Sequence, residues 1–401
     1  MLFVNAFFST RCFFYCVESG SMHGARAKSK LSLMVWIVVT LSCVFIFCEY
    51  VVYFPVILRC SWPEMVEERN PLRALFLSDP HLLGAVRGHW FDKLRREWQM
   101  ERSFQTALFL YKPEMVFILG DIFDEGKWSS TKDWEDDVRR FKQIFRHPRN
   151  TEVVVLVGNH DIGFHHEMTA YKLKRFENVF NMTSAQILTK KGVNFLLVNS
   201  VALHGDHCPI CQSVEDKLYS FAQQLNCSTQ QSDGIRLCRD MQMNDSTPPI
   251  ILQHYPLYRA SDAECTGEDA APFSERYQSF QERYDVLSQN ASKKLLSWFQ
   301  PRLILSGHTH SSCEVFHENR FLEISVPSFS WRNRNNPSFI LGTFSPTDFA
   351  LSKCFLPEES SIIAVYCSSA VVIVLITLGH LHLFQGTLHI SNNLLGKKKS
   401  L

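Results

Sequence analysis

The sequence lacks the features that would tie it to a polyelectrolyte or to a repeat architecture. Its 401 residues contain 41 Lys and Arg against 40 Asp and Glu, which gives a formal net charge of +1. Bulk charge therefore offers no attraction to nucleic acid, and local groups or metals must hold any bound phosphate. No internal repeat or low-complexity tract occurs, and residues 1–22 show no clear signal-peptide cleavage pattern.

Charged residues are almost missing from two long stretches near the chain ends, which favours membrane-spanning helices. The stretch 31–58 contains one acidic residue and follows a basic segment, and the stretch 362–384 contains no Lys, Arg, Asp or Glu. About 20 apolar residues cross a bilayer, and basic flanks stay in the cytosol. The predicted segments are a cytosolic N-terminal segment (1–30), a membrane helix (31–58), a lumenal domain (59–361), a second membrane helix (362–384) and a cytosolic tail (385–401).

The segment between these anchors carries the marks of an oxidising, glycosylating compartment. Asn-x-Ser/Thr triplets without an intervening proline begin at Asn181, Asn226, Asn244 and Asn290. An even set of cysteines there favours disulfides. These cysteines are Cys60, Cys208, Cys211, Cys227, Cys238, Cys265, Cys313 and Cys354. The Cys-x-x-Cys pair at 208 and 211 is interpreted as a structural bridge, with a redox-active pair or half of a zinc site as alternatives.

Short apolar runs alternate with helical segments across the same region. Strands are predicted at Leu72–Leu77, Met115–Leu119, Val153–Val157, Phe195–Val198, Ile250–Leu252 and Leu303–Leu305, and helices at Trp90–Leu110, Trp134–Phe145 and Tyr171–Phe180. This alternation is typical of α/β domains. Further runs at Phe321–Val326 and Phe339–Phe344 predict closing strands. The polar, cysteine-bearing stretch 204–248 predicts an exposed, disulfide-stapled insertion.

Asp, Asn and His side chains follow five of these runs. The densest group is Gly158-Asn159-His160-Asp161, where the glycine ends the strand Val153–Val157 with a sharp turn. The other groups are Asp79 with His81, Asp121 with Asp124, His254, and His308 with His310. Open α/β sheets place ligands at the carboxyl ends of their strands. A single histidine there is usually structural, but five such groups in order predict one shared site.

The types of these side chains predict a metal site. Imidazole, carboxylate and carboxamide ligands without thiolate suit manganese, iron or zinc. Seven of the side chains just named are counted as ligands, and they are assigned below to individual ions. Seven ligands are too many for one tetrahedral ion, and they favour a two-metal site with a shared carboxylate. Two ions roughly 3.5–4 Å apart clamp a phosphoryl group for in-line displacement. The pattern therefore predicts phosphoryl-transfer chemistry.

The ordered motifs Asp-x-His, Gly-Asp-x-x-Asp, Gly-Asn-His-Asp, an isolated His and Gly-His-x-His resemble the signature of the calcineurin-like metallophosphoesterases. The resemblance covers residues 79–310. It implies a four-layer α/β/β/α sandwich with two divalent metals at one sheet edge, and two flanking membrane helices are expected from the apolar stretches. By this resemblance one metal is held by Asp79, His81, Asp121 and His310, and the other by Asp121, Asn159, His254 and His308.

The same resemblance gives His160 a role other than metal binding. It implies that His160 protonates the departing oxygen when a metal-activated water attacks phosphorus. Asp124 is expected to orient His160 through a carboxylate–imidazole hydrogen bond. Phosphate binding by His160 without proton transfer is the alternative. Pro80, which separates Asp79 from His81, is expected only to stiffen the turn.

The two anchors and the terminal Lys398-Lys399-Ser400-Leu401 resemble the layout of early-secretory phosphodiesterases that remodel glycosylphosphatidylinositol (GPI) anchors. This resemblance implies manganese-dependent removal of ethanolamine phosphate from the second mannose of the glycan. It also implies GPI-anchored proteins as substrates, export receptors as partners, and residence between the endoplasmic reticulum and the cis-Golgi. Lys398 and Lys399 are interpreted equally as a retrieval signal read by coat proteins and as a basic flank.

Two alternatives stay open at the level of sequence. A phosphomonoesterase or a nucleotide hydrolase would use the same two-metal clamp, so the motifs do not separate it from a diesterase. A catalytically idle lumenal cargo receptor belongs to another class, and the presence of His160 beside a full ligand set argues against it. The loop 331–336 and Trp128 are weighed as substrate contacts, but surface and packing roles are at least as well supported.

Overall fold

The computed structural model describes residues 22–65, 70–229 and 247–398. The chain divides into two compact units, one formed by residues 50–360 and one by the terminal segments 1–49 and 361–401. The first unit contains the predicted site and is described first.

The strands are β1 Leu72–Leu77, β2 Met115–Ile118, β3 Glu152–Val155, β4 Ala185–Lys190, β5 Val193–Val198, β6 Ile250–Gln253, β7 Leu303–Ser306, β8 Cys313–His317, β9 Phe321–Ser325, β10 Ser338–Phe344 and β11 Phe349–Phe355. The helices are α1 Met22–Ile46, α2 Tyr53–Ile57, α3 Trp90–Tyr111, α4 Thr131–Ile144, α5 Asn159–Ile162, α6 Ala170–Phe180, α7 Pro209–Thr229, α8 Phe273–Arg276, α9 Gln289–Phe299 and α10 Glu359–Lys398.

The strands form two mixed sheets. The first has the order β11-β10-β1-β2-β3, and the second has the order β4-β5-β6-β7-β9-β8. Strands β1, β2 and β3 are parallel, as are β5, β6, β7 and β9. Because parallel strands end at the same edge, each sheet presents several carboxyl ends together.

Phenylalanine rings fill the space between the two sheets. Phe76 of β1 and Phe117 of β2 stack with their centroids 5.1 Å apart, and Phe195 of β5 lies 4.8 Å from Phe117. Phe344 of β10 packs against Phe76 at 5.6 Å. Burial of each ring contributes about 1.5–3 kcal/mol, so this layer holds the sheets face to face. Alternate residues such as Leu75 point to the opposite face of the first sheet.

Helices cover the outer faces of both sheets. The outer face of the first sheet packs against α3, α4 and α6, and that of the second packs against α7 and α9. Side-chain oxygens of Ser130, Thr169 and Ser288 cap α4, α6 and α9 by accepting backbone N–H groups. The layers are therefore helix, sheet, sheet and helix, and the predicted four-layer fold is confirmed.

Every predicted strand and helix of this unit coincides with an observed element to within a few residues. Strands β4, β8 and β11 were not predicted, since their exposed faces interrupt the apolar runs. The expectation of an exposed insertion at 204–248 is wrong for its first half. There α7 buries Val214, Leu218 and Ala222 against the second sheet. Residues 230–246 lie outside the described part of the chain.

Three disulfides join described cysteines that lie between the two apolar stretches. They are Cys60–Cys354, Cys208–Cys211 and Cys265–Cys313. The predicted structural bridge between Cys208 and Cys211 is thus formed. Cys238 and the side chain of Cys227 lie outside the described part.

The terminal unit is built from two long apolar helices. The spans Lys30–Ile57, of 28 residues, and Glu359–His382, of 24 residues, are long and apolar enough to cross a membrane. Glu49, the one acidic residue of the first stretch, accepts a hydrogen bond from the Tyr366 hydroxyl at 2.6 Å. Hydrogen bonding offsets part of the cost of placing such a carboxyl group in an apolar helix.

The modification and sorting signals are only partly covered by the structure. Asn181 and Asn290 are exposed, as a glycosylated asparagine must be. Asn244, Lys399 and the side chains of Asn226 and Lys398 lie outside what the structure describes. Glycosylation and retrieval therefore stay predictions.

Candidate dinuclear metal centre

The structure brings all seven predicted ligands to one edge of the sandwich. The first sheet contributes the residues after β1, β2 and β3, and the second contributes those after β6 and β7. The seven side chains are those of Asp79, His81, Asp121, Asn159, His254, His308 and His310. They converge because both sheets end their parallel strands at this edge.

One cluster contains Asp79, His81 and His310, whose ligand atoms all lie within 4.8 Å of one another. His81 Nε2 is 3.8 Å from Asp79 Oδ1 and 3.1 Å from His310 Nε2. His310 Nε2 is 3.6 Å from Asp79 Oδ1. Two ligands that each lie about 2.1 Å from one ion are separated by roughly 3.0–3.4 Å. These separations are close to those of a coordination sphere.

A second cluster contains Asp121, His254 and His308, again with ligand atoms within 4.8 Å of one another. His254 Nε2 is 3.3 Å from Asp121 Oδ2 and 3.1 Å from Asn159 Oδ1. Asp121 Oδ2 is also 3.5 Å from His81 Nε2, which belongs to the first cluster. Asp121 therefore lies between the two clusters, where a bridging carboxylate is expected.

Hydrogen bonds fix which nitrogen of three histidines faces the centre. His254 Nδ1 donates to the Leu119 carbonyl at 2.8 Å, and His308 Nε2 donates to the Tyr284 carbonyl at 2.8 Å. His81 Nδ1 donates to Asp124 Oδ1 at 3.0 Å. In each ring the other nitrogen is thereby turned toward the centre, which is how outer partners orient metal-binding histidines.

Unpaired buried atoms show that the residues fit divalent cations. Among the residues that the structure describes, Asp79 Oδ1 and His308 Nδ1 are buried without a hydrogen-bond partner. An acceptor left unpaired in this way costs about 1–3 kcal/mol. One cation in each cluster would satisfy these two atoms, and the donor set contains the oxygen and imidazole ligands that manganese, iron and zinc accept.

The electrostatics of the cluster also favour added positive charge. Burial alone would lower the pKa of His81 and His254, but the neighbouring carboxylates raise these pKa values to about 10 and about 9. Burial and the nearby His254 lower the pKa of His308 to about 3. A centre that draws protons onto two imidazoles attracts metal cations for the same reason, while neutral His308 keeps a lone pair to bind one.

The predicted carboxylate–imidazole bond between Asp124 and His160 is wrong. His160 Nδ1 donates instead to the main-chain carbonyl of Asp124 at 2.8 Å, and the Asp124 carboxylate is 3.9 Å away. That carboxylate is occupied by His81, which is closer and better aligned. The main chain thus orients His160, and the side chain of Asp124 orients His81.

Five site residues hold left-handed backbone conformations that non-glycine residues seldom adopt. They are Asp79, His81, Asp121, His308 and His310, with φ between 46° and 71°. Such conformations cost of order 1–3 kcal/mol each and persist where surrounding structure or function maintains them. The glycines of the motifs serve close approach. A Cβ on Gly158 would lie 2.1 Å from Asp121 Oδ1, and one on Gly307 would lie 2.0 Å from Ser78 Oγ.

Several residues near the centre were not predicted as substrate contacts from the sequence, or were considered only as one of two possibilities. Arg332 of the loop 331–336 lies 3.8 Å from Asp124 Oδ2, and its side chain is 40% exposed. Lys127 is a buried cation above the ring of Phe164, and Phe164 stacks on Tyr284 at 4.6 Å. For Arg332, the only sequence feature that suggested a substrate contact was the composition of the loop 331–336. The Phe164–Tyr284 pair joins residues far apart in sequence.

The other members of that loop have structural contacts. Arg334 donates to Ser311 at 2.6 Å and to the His310 carbonyl at 3.4 Å. Trp331 is buried and donates to the Pro357 carbonyl. Trp128, for which packing was favoured, is 47% exposed with Arg87 above its ring. Arg332 and Trp128 are therefore exposed, as is Asn335, whose side chain accepts the Ser360 N–H.

Comparison with known proteins gives a consistent result. The profile of the calcineurin-like phosphoesterase family matches residues 72–312. A Danio rerio protein named Metallophosphoesterase 1 is 67% identical over 375 residues, which is 93% of this chain and 98% of that protein. A Gallus gallus protein of the same name is 55% identical over 383 residues, covering 93% and 96%. A solved dimetal phosphatase from Danio rerio matches with a TM-score of 0.42 and 11% identity, covering 72% of this chain and 100% of that chain.

Proposed function

Because the chain belongs to the calcineurin-like phosphoesterase family, we propose that it is a metal-dependent phosphodiesterase acting on GPI anchors. Its reaction would remove the ethanolamine-phosphate side branch from the second mannose after the anchor is attached to protein. The observation that carries the chemistry is the pair of ligand clusters sharing Asp121. The choice of substrate rests on the layout, a phosphoesterase domain flanked by two apolar helices.

In this proposal Asp79, His81, Asp121 and His310 hold one ion, and Asp121, Asn159, His254 and His308 hold the other. When bound, two divalent ions supply electrophilic stabilisation of the phosphoryl oxygens and activation of the attacking water. Manganese is the proposed metal, and the same ligands accept zinc or iron.

His160 is proposed as the general acid. Its Nδ1 is engaged by the Asp124 carbonyl, so Nε2 is the nitrogen left to carry a proton to the leaving oxygen. The side chain is 30% exposed, so it is reachable by a substrate. The backbone N–H of His160 donates to Asp121 Oδ1 at 2.7 Å, which ties the acid to the bridging carboxylate. Proton transfer of this kind contributes typically about 10²–10⁴-fold.

Cationic and aromatic groups beside the centre, of which Arg332 and Trp128 are exposed, support a phosphorylated glycan as substrate. Arg332 and Lys127 provide positive charge near Asp124, and a guanidinium binds phosphate oxygens with two parallel hydrogen bonds. Trp128 presents an exposed aromatic face beside Lys127, whose ammonium lies 4.8 Å from the ring centroid. These groups would hold the phosphate and the sugar outside the metal ligands.

The proposed setting is the membrane of the early secretory pathway, between the endoplasmic reticulum and the cis-Golgi. The apolar spans support membrane attachment. Helix α3 adds an exposed apolar stripe on its outer face, with Phe91, Leu94 and Phe109 more than half exposed. Attachment to the membrane by these apolar segments raises the local concentration of a membrane-bound substrate. GPI-anchored proteins would be the substrates, and export receptors and coat proteins the proposed partners.

The test uses the full-length protein in detergent, loaded with manganese. Release of ethanolamine phosphate from a GPI glycan is measured beside a simple phosphodiester and a phosphomonoester. The proposal expects turnover that favours the glycan, requires metal and is lost in His160→Ala. The exposed His147, at the end of α4, provides the matched control His147→Ala, which should keep full activity.

The other outcomes separate the alternatives. Equal rates on all three esters would remove the GPI claim and leave the phosphoesterase chemistry. A preference for the monoester would favour a phosphomonoesterase. Two bound metals without turnover on any ester would favour a cargo receptor.

A further inference from the structure

A second group of metal-binding side chains meets at the start of α7, outside the catalytic centre. His165, Asp206, Cys208 and Cys211 place one ligand atom each within 4.8 Å of the others. His165 Nδ1 lies 3.6 Å from Cys211 Sγ. The two cysteines form a disulfide in this structure. None of these residues takes part in the proposed phosphoesterase chemistry.

The imidazole of His165 is already oriented as a metal ligand would be. Its Nε2 donates to Asp206 Oδ2 at 2.7 Å, so in the neutral ring Nδ1 carries the lone pair and faces sulfur. A disulfide sulfur offers that lone pair no hydrogen bond. A metal-binding histidine typically has this arrangement, with its other ring nitrogen held by a carboxylate.

The disulfide itself contributes little to holding the fold together. Its cysteines are three residues apart in sequence, so the loop that it closes is very short. The chain entropy removed by a cross-link grows with loop length, so the stabilisation expected from this bridge is near the lower limit for disulfides. Helix α7 is independently anchored by Leu218 and Ala222 in the core. A purely structural role therefore does not account for the converging His165 and Asp206.

Thiol–disulfide exchange is also poorly served by this geometry. The half-buried Cys208 is the sulfur that an outside thiol could reach. Its backbone N–H donates to Asp206 Oδ1 at 3.3 Å, which places a carboxylate beside it and disfavours a thiolate, while the Cys211 N–H donates to its sulfur at 3.1 Å. The histidine that could stabilise a thiolate lies beside the buried Cys211 instead. Coordination to one cation uses both sulfurs and the imidazole together.

We propose that reduction of the Cys208–Cys211 bond creates a mononuclear site for a zinc-class cation. The ligands are Cys208 Sγ, Cys211 Sγ and His165 Nδ1, and Asp206 is the positioning residue that orients His165. A dithiol reductant supplies two electrons and two protons, which gives two cysteine thiols and the oxidised reductant. Binding of the divalent cation then displaces the two thiol protons. The side chain of Asp206 is 44% exposed, so solvent and cation reach the site.

Cobalt provides a direct test, because thiolate coordination to Co²⁺ gives an intense near-ultraviolet charge-transfer absorption. The full-length protein in detergent is reduced with a dithiol, freed of excess reductant without air and titrated with Co²⁺. The catalytic centre has no sulfur ligand and is silent in this band. The expected result is one thiolate–cobalt band per chain that disappears on addition of Zn²⁺.

Variants assign the band to the proposed ligands. Cys208→Ser with Cys211→Ser should abolish it, and His165→Ala should shift or lose it. Asp206→Asn should keep the band but weaken Co²⁺ affinity by about 10–100-fold, as expected for an outer partner of a histidine ligand. The pair Cys265→Ser with Cys313→Ser removes a different disulfide and is the matched control, which should retain the band.

Two results would overturn the proposal. One is a band that survives in the Cys208 and Cys211 double variant. The other is no band although thiol titration shows that both cysteines are reduced. Retained phosphoesterase activity in the double variant shows that it folds, so loss of its band reports lost ligands.

Discussion

The catalytic centre and the cysteine–histidine cluster at α7 differ in how the fold supports their ligands. The seven catalytic ligands follow the ends of five strands from two packed sheets. Only one regular element serves the cysteine cluster, since Cys208 and Cys211 lie at the start of α7 while His165 and Asp206 lie in loops. The proposed catalytic centre is thus built on strand ends in two sheets, whereas the proposed cysteine site lies mainly on loops and depends on the oxidation state of two sulfurs.

The largest expected effect in this comparison comes from Asp121→Asn. Asp121 lies between both clusters, so loss of its charge weakens both metal positions at once. Activity should fall by at least about 10³-fold, which corresponds to several kcal/mol of lost stabilisation. Metal content measured by mass spectrometry should drop below two ions per chain. Asp133→Asn, on the exposed start of α4, is the control, and an Asp121 variant with two tightly bound ions would contradict the bridging role.

His160→Ala should lower activity strongly while leaving both metals bound. The loss should be about 10²–10⁴-fold for an alkyl leaving group, which needs a proton, and much smaller for a nitrophenyl leaving group, which does not. The ratio of kcat for the two esters is the measurement. Equal losses on both esters would instead indicate that His160 binds phosphate without proton transfer.

Asp124→Asn should act on metal affinity. Its carboxylate accepts the hydrogen bond that orients His81, and loss of such an outer partner costs about 10–100-fold in affinity. Manganese titration of activity should show the shift, with kcat restored at saturating metal. If kcat stayed low at every manganese concentration, the carboxylate would be acting through His160 after all.

The smallest effects on activity are expected from the disulfides, which act on stability, and two of them differ widely in the length of the loop that they close. Cys60–Cys354 joins residues 294 apart, and Cys208–Cys211 joins residues three apart. Loop-closure entropy predicts that Cys354→Ser lowers the free energy of unfolding by about 5 kcal/mol and Cys208→Ser by about 2 kcal/mol at most. Chemical denaturation of the full-length variants, followed by a signal from residues 50–360, measures the two losses of unfolding free energy. Equal losses would show that the short bridge has a structural role.

The regular elements of the first unit follow largely from the sequence. β1 and α3 were predicted almost residue for residue, because their apolar patterns are uninterrupted and buried. Helix α7 was missed because its polar residues outnumber the apolar side chains that it buries, and its cysteines suggested a loop. In the prediction for α7, the many polar residues obscured a weak helical periodicity of its apolar residues.

The sequence predicted which residues form the site but not the hydrogen bonds that orient them. The motifs placed Asp79, Asn159 and His254 correctly at strand ends. No sequence signal showed that carbonyls of Leu119 and Tyr284 orient two of the histidines, because any residue offers a carbonyl. The left-handed backbone of the ligands was also not predicted, because only a few per cent of non-glycine residues adopt it, Asp and His more often than most, and tertiary structure imposes it here.

Asp124 holds two histidines by different parts of the same residue. Its side chain holds His81 and its main chain holds His160. Substitution changes the first connection and leaves the second in place, because every amino acid retains the carbonyl. Substitution of Asp124 is therefore expected to change the orientation of His81 while His160, the proposed acid, keeps its hydrogen bond.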